Sequence, residues 1–192
     1  DVCSSDLKIM GIEFNKTKIK GSFPVFWRGE CAVLPGDFKL TTELAEGTIV
    51  RKGTPIKLDF DRMECKICKA VKVLAGGTTT KPRIGKDSFV AKGDSIGGQN
   101  VSSVDSSNSD YDVVTLAAAV ESATEGAILA VGTDEPDAVV ETTFVYTKNM
   151  SFQTVSAGYE VLILKDVAYP VPSSWLTGFS MKNNPTIKYI RQ

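Results

Sequence analysis

The residues best suited to chemistry in this 192-residue chain are its four cysteines, Cys3, Cys31, Cys65 and Cys68, two of which form the phrase Cys65-Lys66-Ile67-Cys68. A C-x-x-C pair is half of a zinc site or a redox couple, and either use needs partners. The chain contains no histidine, so the commonest metal ligand, general base and pH switch is missing. Cys3 and Cys31 lie far apart and supply no second pair. On an extended strand, positions i and i+3 point to opposite faces, so Cys65 and Cys68 are not expected to converge on one ion or to bond each other. Free thiols, no metal, no cofactor and no catalytic role follow as expectations. A hydrolase triad, a zinc enzyme and a zinc deaminase all lack a histidine they would need.

Other candidates weaken in the same way when their spacing is read. Asp59, Asp61 and Glu64 resemble a calcium loop in charge but lack its glycine at the sixth position and glutamate at the twelfth. Gly76-Gly77 and Gly97-Gly98 are not followed by the Lys-Ser/Thr of a phosphate loop and read as turns. Lys57, Lys66, Lys69 and Lys72 could form a basic stripe, yet they do not share one face and have no aromatic platform between them. Phe23, Phe26, Trp27 and Trp175 could line a sugar-binding groove. In a small β protein such residues more often serve the core or a subunit contact, and these four are the candidate interface residues.

The elements that would position these groups centre on Glu46 to Gly98, where one phrase occurs twice. Val50-Arg51-Lys52-Gly53-Thr54-Pro55-Ile56 and Val90-Ala91-Lys92-Gly93-Asp94-Ser95-Ile96 share the pattern V-x-K-G-x-x-I. Each reads as strand, tight turn, strand, with the glycine supplying the positive φ a short reversal requires. The two turns are expected to lie near each other. Between them, Met63 to Leu74 alternates like one half-buried strand, with Cys65, Ile67, Val71 and Val73 inward and Lys66, Cys68, Ala70 and Lys72 outward.

Residues 1–40 read as an N-terminal arm and an aromatic-rich extended segment broken by a proline, and residues 41–192 as a β-rich domain. Residues 99–112, rich in Ser, Asn and Asp, read as an exposed polar loop. Val113, Leu116, Ala117 and Val120 fall at helical spacing, which predicts a short helix over Val113 to Glu121, with a strand closing at Leu116 as the alternative. Short strands are predicted at Phe38 to Thr41, Ala127 to Val131, Ala138 to Tyr146, Tyr159 to Val167 and Thr186 to Ile190. A single helical turn follows Ser173 or Ser174. The fold class is thus mainly β, a small barrel or sandwich of short strands with repeated strand-turn-strand elements and one or two short helices.

Composition narrows the partners. Twenty-two Lys and Arg stand against 23 Asp and Glu, for a net charge of -1, and no block of like charge offers a footprint for nucleic acid or an anionic membrane. No apolar run reaches ~18 residues, so no membrane span is expected.

In layout, the central GTIVRKGTPIKLD, CKAVKVLAGG and IGKDSFVAKGDSI, together with the closing YEVLILKDVAYPVPSSWLTGFSMKNNPTIKYI, resemble head fibre and head decoration proteins of tailed phages, including phages and prophages of gut Bacteroidetes. The resemblance implies a structural virion protein on the capsid surface, made in the bacterial cytoplasm. It also implies a homo-oligomer, trimers being common, with the phage major capsid protein as partner. The aromatic block from Phe23 to Trp27 departs from the pattern. The alternative from the residues themselves is a secreted or surface glycan-binding module of a gut bacterium.

Overall fold

The computed structural model describes residues 27, 30–86, 88–148 and 153–191. Its strands, numbered along the chain, are β1 (Ala32–Val33), β2 (Phe38–Leu40), β3 (Ile49–Val50), β4 (Pro55–Asp59), β5 (Glu64–Ile67), β6 (Lys69–Leu74), β7 (Arg83–Gly85), β8 (Ser95–Ile96) and β9 (Gln99–Asp105). They continue as β10 (Tyr111–Leu116), β11 (Ile128–Val131), β12 (Ala138–Val140), β13 (Phe144–Val145), β14 (Thr154–Val155), β15 (Ala157–Leu164), β16 (Leu176–Thr177), β17 (Ser180–Met181) and β18 (Ile187–Ile190). One 3-10 turn, Ser173–Trp175, precedes β16. The fold is mainly β, and it contains both a closed barrel and an open sheet.

The barrel closes six strands in the order β10-β7-β6-β11-β8-β9. Its interior is aliphatic: Val71, Val73, Ile84, Ile96, Val101, Val114, Leu116 and Val131 are all buried. Val120 and Ala123 join this core from the segment after β10. Gly97, at φ 56°, comes so near that a Cβ there would lie 2.5 Å from Val120 Cγ1, which is why that turn carries no side chain. The open sheet runs β14-β2-β5-β4-β12-β15-β18-β17-β16, with β1 also on β15. It serves two cores. One gathers Phe38, Val50, Ile56, Leu58, Cys65 and Val140, and the two-stranded β3–β13 ribbon joins it through Val50 and Phe144. The other packs Trp27, Val161, Ile163, Trp175, Met181, Ile187 and Tyr189 with Cys68 and Ala70.

Both copies of the repeated phrase form the same turn. Thr54 N–H donates to Arg51 C=O at 3.1 Å and Asp94 N–H to Ala91 C=O at 3.1 Å, around Gly53 at φ 82° and Gly93 at φ 94°. The turns flank one junction, as expected of near neighbours: Cys68 N–H donates to Pro55 C=O at 2.9 Å, and Lys69 Nζ pairs with Asp94 at 2.8 Å.

Four expectations need correction. Met63 to Leu74 is not one strand, because β5 belongs to the open sheet and β6 to the barrel, with the chain changing partners at Cys68. Cys68 and Ala70, read as outward, are buried, since this part of β6 has the barrel core on one face and the tryptophan-containing core on the other. The helix over Val113 to Glu121 is absent, and the alternative of a strand closing at Leu116 holds, as β10. Those residues lie in and after β10, which pairs with β7 on one side and β9 on the other, and this two-sided pairing of β-branched residues outweighs the helical spacing. The polar loop at 99–112 is the β9–β10 hairpin, in which only residues 106–110 lie outside the strands. β1 and β2, which fall within residues 1–40, are strands of the open sheet.

Candidate functional site

The surface with the most unusual chemistry lies on the β4–β5 hairpin. Alternation buries Ile56, Leu58, Cys65 and Ile67 and turns Lys57, Asp59, Glu64 and Lys66 outward. The antiparallel register then sets like against like, with Lys57 opposite Lys66 and Asp59 opposite Glu64. Directly opposed like charges are unfavourable in a sheet, by a few tenths of a kcal/mol to about 1 kcal/mol. The parallel neighbour β2 adds Lys39 beside Glu64. The outer face therefore carries two rows, one of Lys39, Glu64 and Asp59, the other of Lys66 and Lys57.

Lys57, Asp59, Glu64 and Lys66 line a groove of ≈ 570 Å³ together with Phe60, Asp61, Arg62 and Asp134. Lys57 Nζ donates to Asp134 at 3.0 Å, and that bond raises the lysine pKa above its ordinary value. Asp59 Oδ1 accepts the backbone N–H groups of Asp61 and Arg62, at 3.1 and 3.2 Å, and so shapes the hairpin turn. Glu64 and Lys66 have no ion pair among the described residues. At the turn, Phe60 is 56% exposed and Met63 40% exposed, while the Phe60 ring rests edge-on against buried Phe38 at 5.7 Å. Met63 sits at φ 52°, an uncommon conformation for a non-glycine residue, and its Cε lies beside Gly36.

The residues singled out in the sequence lie elsewhere. Trp27 and Trp175 are 6% and 2% exposed and share one core, so they act as packing side chains and not as surface anchors. Lys52 of the first repeated turn places its ammonium 4.1 Å from the Trp27 ring centroid. Neither tryptophan is on the surface to stack on a sugar. Phe23 and Phe26 lie outside the described residues. Cys65 and Cys68 are buried in different cores, and burial pushes both thiols up to about 12, which keeps them protonated and poorly nucleophilic near neutrality. Cys31 is half-buried, with its pKa also raised by burial. Among the described residues, no group of three or more His, Cys, Asp or Glu could hold a metal, and no helix is long and apolar enough to cross a membrane.

The hairpin face was half legible in the sequence. Its lysines and its acids were each visible, as a stripe and as a false calcium loop. Their shared face follows from period-two alternation, but their opposition depends on hairpin register, which the Asp59 to Glu64 turn sets. No family model matches the chain, and neither a curated protein nor a solved structure matches it.

Proposed function

We propose that this chain is a non-catalytic structural protein of a tailed-phage head, decorating the outside of the capsid as a symmetric oligomer, with a trimer as the expected form. The observation that carries the reading is the hairpin face, where fixed charges of both signs lie on a sheet beside exposed Phe60 and Met63. Such a face suits a contact between copies of this chain within the oligomer, because its charges can be matched individually while the apolar side chains exclude water around them. A decorating protein has to recognise one local arrangement of shell subunits. A symmetric oligomer does so with several copies of one weak contact, gaining avidity without a strong single site. The partner on this reading is the major capsid protein, and the location is the virion surface. A net charge of -1 gives no general electrostatic drive towards nucleic acid.

The test is co-sedimentation with phage heads from an induced strain that expresses the chain. It should travel with heads and saturate at a fixed number of copies per shell. A chain that stays in the supernatant at every concentration would defeat the proposal.

A further inference from the structure

We infer that the outer face of the β4–β5 hairpin is a self-complementary contact for a second copy of this chain. The inference rests on the oligomer reading above for its occupant and on strand register for its geometry. Glu64 and Lys66 sit two residues apart on one face of β5, a spacing of about 6.7 Å along the strand. Across the hairpin, Asp59 and Lys57 repeat the same order of signs, acid towards the hairpin turn and base away from it. Over β4 and β5 the face is thus divided along the strands into an acidic pair and a basic pair, with Lys39 of β2 beside the acidic one.

A two-fold axis parallel to the sheet, perpendicular to the strands and passing between the two pairs exchanges them. It brings the Glu64 of each copy over the Lys66 of the other, and each Asp59 over the other's Lys57. Every like-charge opposition within one hairpin then gains an opposite charge from across the contact. Glu64 and Lys66 matter most, because neither has an ion pair among the described residues, whereas Lys57 already holds Asp134 and Asp59 already accepts two backbone N–H groups. Sheets stacked face to face lie about 10 Å apart, a distance that extended Lys and Glu side chains can bridge together. The groove of ≈ 570 Å³ that these pairs line gives room for the partner's side chains, and exposed Phe60 and Met63 add an apolar margin beside the charges.

A simple anion is a poorer occupant, since Asp59 and Glu64 would repel it from the lysines. A cation meets the mirror-image objection. The acidic and basic pairs fit a surface with the same order reversed, which a two-fold copy provides without further assumption. The contact joins chains in twos, so an assembly built on it has an even number of copies, as a dimer or as paired trimers.

Sedimentation equilibrium of the purified full chain, across micromolar concentrations and at low and high salt, tests the contact. The expected result is an even-numbered assembly that salt weakens. Lys66→Glu alone and Glu64→Lys alone should each weaken association at least about tenfold, because each sets like charges across the axis. The double exchange Lys66→Glu with Glu64→Lys should restore it, since self-complementarity returns with the signs reversed. Circular dichroism and the thermal midpoint of each variant show whether the fold survives. If a single reversal unfolds the chain, the salt response of the wild type decides instead. A strictly monomeric wild type, association indifferent to both single reversals, or an assembly that salt leaves unchanged would overturn the inference. Head binding by a chain that stays monomeric sinks this contact alone, whereas self-association without head binding sinks the capsid reading alone.

Discussion

The turn at Lys52-Gly53 and the turn at Lys92-Gly93 are built alike and placed in different company. In the first, Gly53 N–H donates to Val140 C=O at 2.7 Å, and Val140 N–H returns to Thr54 C=O at 2.9 Å. In the second, Gly93 N–H donates to Val101 C=O at 2.9 Å, and Val101 N–H returns to Asp94 C=O at 2.7 Å. A valine thus fills the same seat in both. Yet Val140 belongs to β12, far along the chain in the open sheet, while Val101 belongs to β9, the next strand of a tight hairpin in the barrel. The lesson is that V-x-K-G-x-x-I specifies a reversal and the register of whatever pairs with it. It does not choose the strand that comes.

The fourth residue of each turn shows how different chemistry can close one geometry. Buried Thr54 donates its hydroxyl back to Arg51 C=O at 2.7 Å, whereas Asp94 accepts the Ala91 N–H at 2.8 Å and holds Lys69 as well. One side chain serves the acceptor at the start of its turn and the other serves the donor.

The largest test of this equivalence lies in the two cores. Ile56 and Ile96 end their phrases and are both 0% exposed, so Ile56→Ala and Ile96→Ala should each cost about 2–5 kcal/mol in urea unfolding. A much smaller cost at Ile96 would show that the small barrel collapses around the lost methyl groups, which would break the parallel.

The junction between the two turns should show itself at alkaline pH. Cys65 and Cys68 have folded pKa values raised to about 12, above the ordinary thiol value. Between those limits the unfolded chain loses protons that the folded chain keeps, so stability is full below the unfolded pKa and falls as pH rises towards 12. The slope is at most about 1.4 kcal/mol per pH unit for each thiol. Cys65→Ala and Cys68→Ala should each flatten this limb, as read by denaturant unfolding across the range. An unchanged slope in both variants would mean the alkaline loss comes from elsewhere, such as buried Tyr189, whose phenol pKa burial also raises.

Smaller effects separate the turns themselves. Gly93→Ala should cost about 1–2 kcal/mol through its left-handed backbone alone, because nothing lies within 4 Å of the added Cβ. Gly53→Ala should cost at least as much, since Gly53 is buried. If Gly93→Ala is neutral in thermal unfolding, that turn tolerates another conformation and the two are not equivalent.

The smallest expected effect is the most discriminating. Thr54→Val should cost about 1 kcal/mol, the worth of one side-chain hydrogen bond, and Asp94→Asn, which keeps an acceptor oxygen but loses the charge, up to about 1 kcal/mol. Salt should shrink the second cost but not the first, because only Asp94 adds an ion pair, with Lys69, whose side chains are 15% and 24% exposed for Lys69 and Asp94 respectively. Equal salt responses would remove the chemical distinction between the two closures.

What the sequence determined by itself was local: period-two alternation, glycine at positive φ, and the strand-forming character of nearly every apolar run. Those features depend on backbone sterics and nearest neighbours, and so the repeated turns, β2, β11, β15, β18 and the turn at Ser173–Trp175 were readable in advance. Tertiary structure decided what the chain pairs with and what covers each face. Val113 to Leu116 became strand because β7 and β9 flank it, and Ala70 became core because barrel and sheet cover both its sides. Trp27 and Trp175 went inward because two large rings bury more apolar area against each other's neighbours than at the surface. The hairpin face was decided last of all. Each charge on it was visible in the sequence, but only the antiparallel register placed Lys57 opposite Lys66 and Asp59 opposite Glu64, because opposition across strands is a non-local property that composition and spacing do not encode.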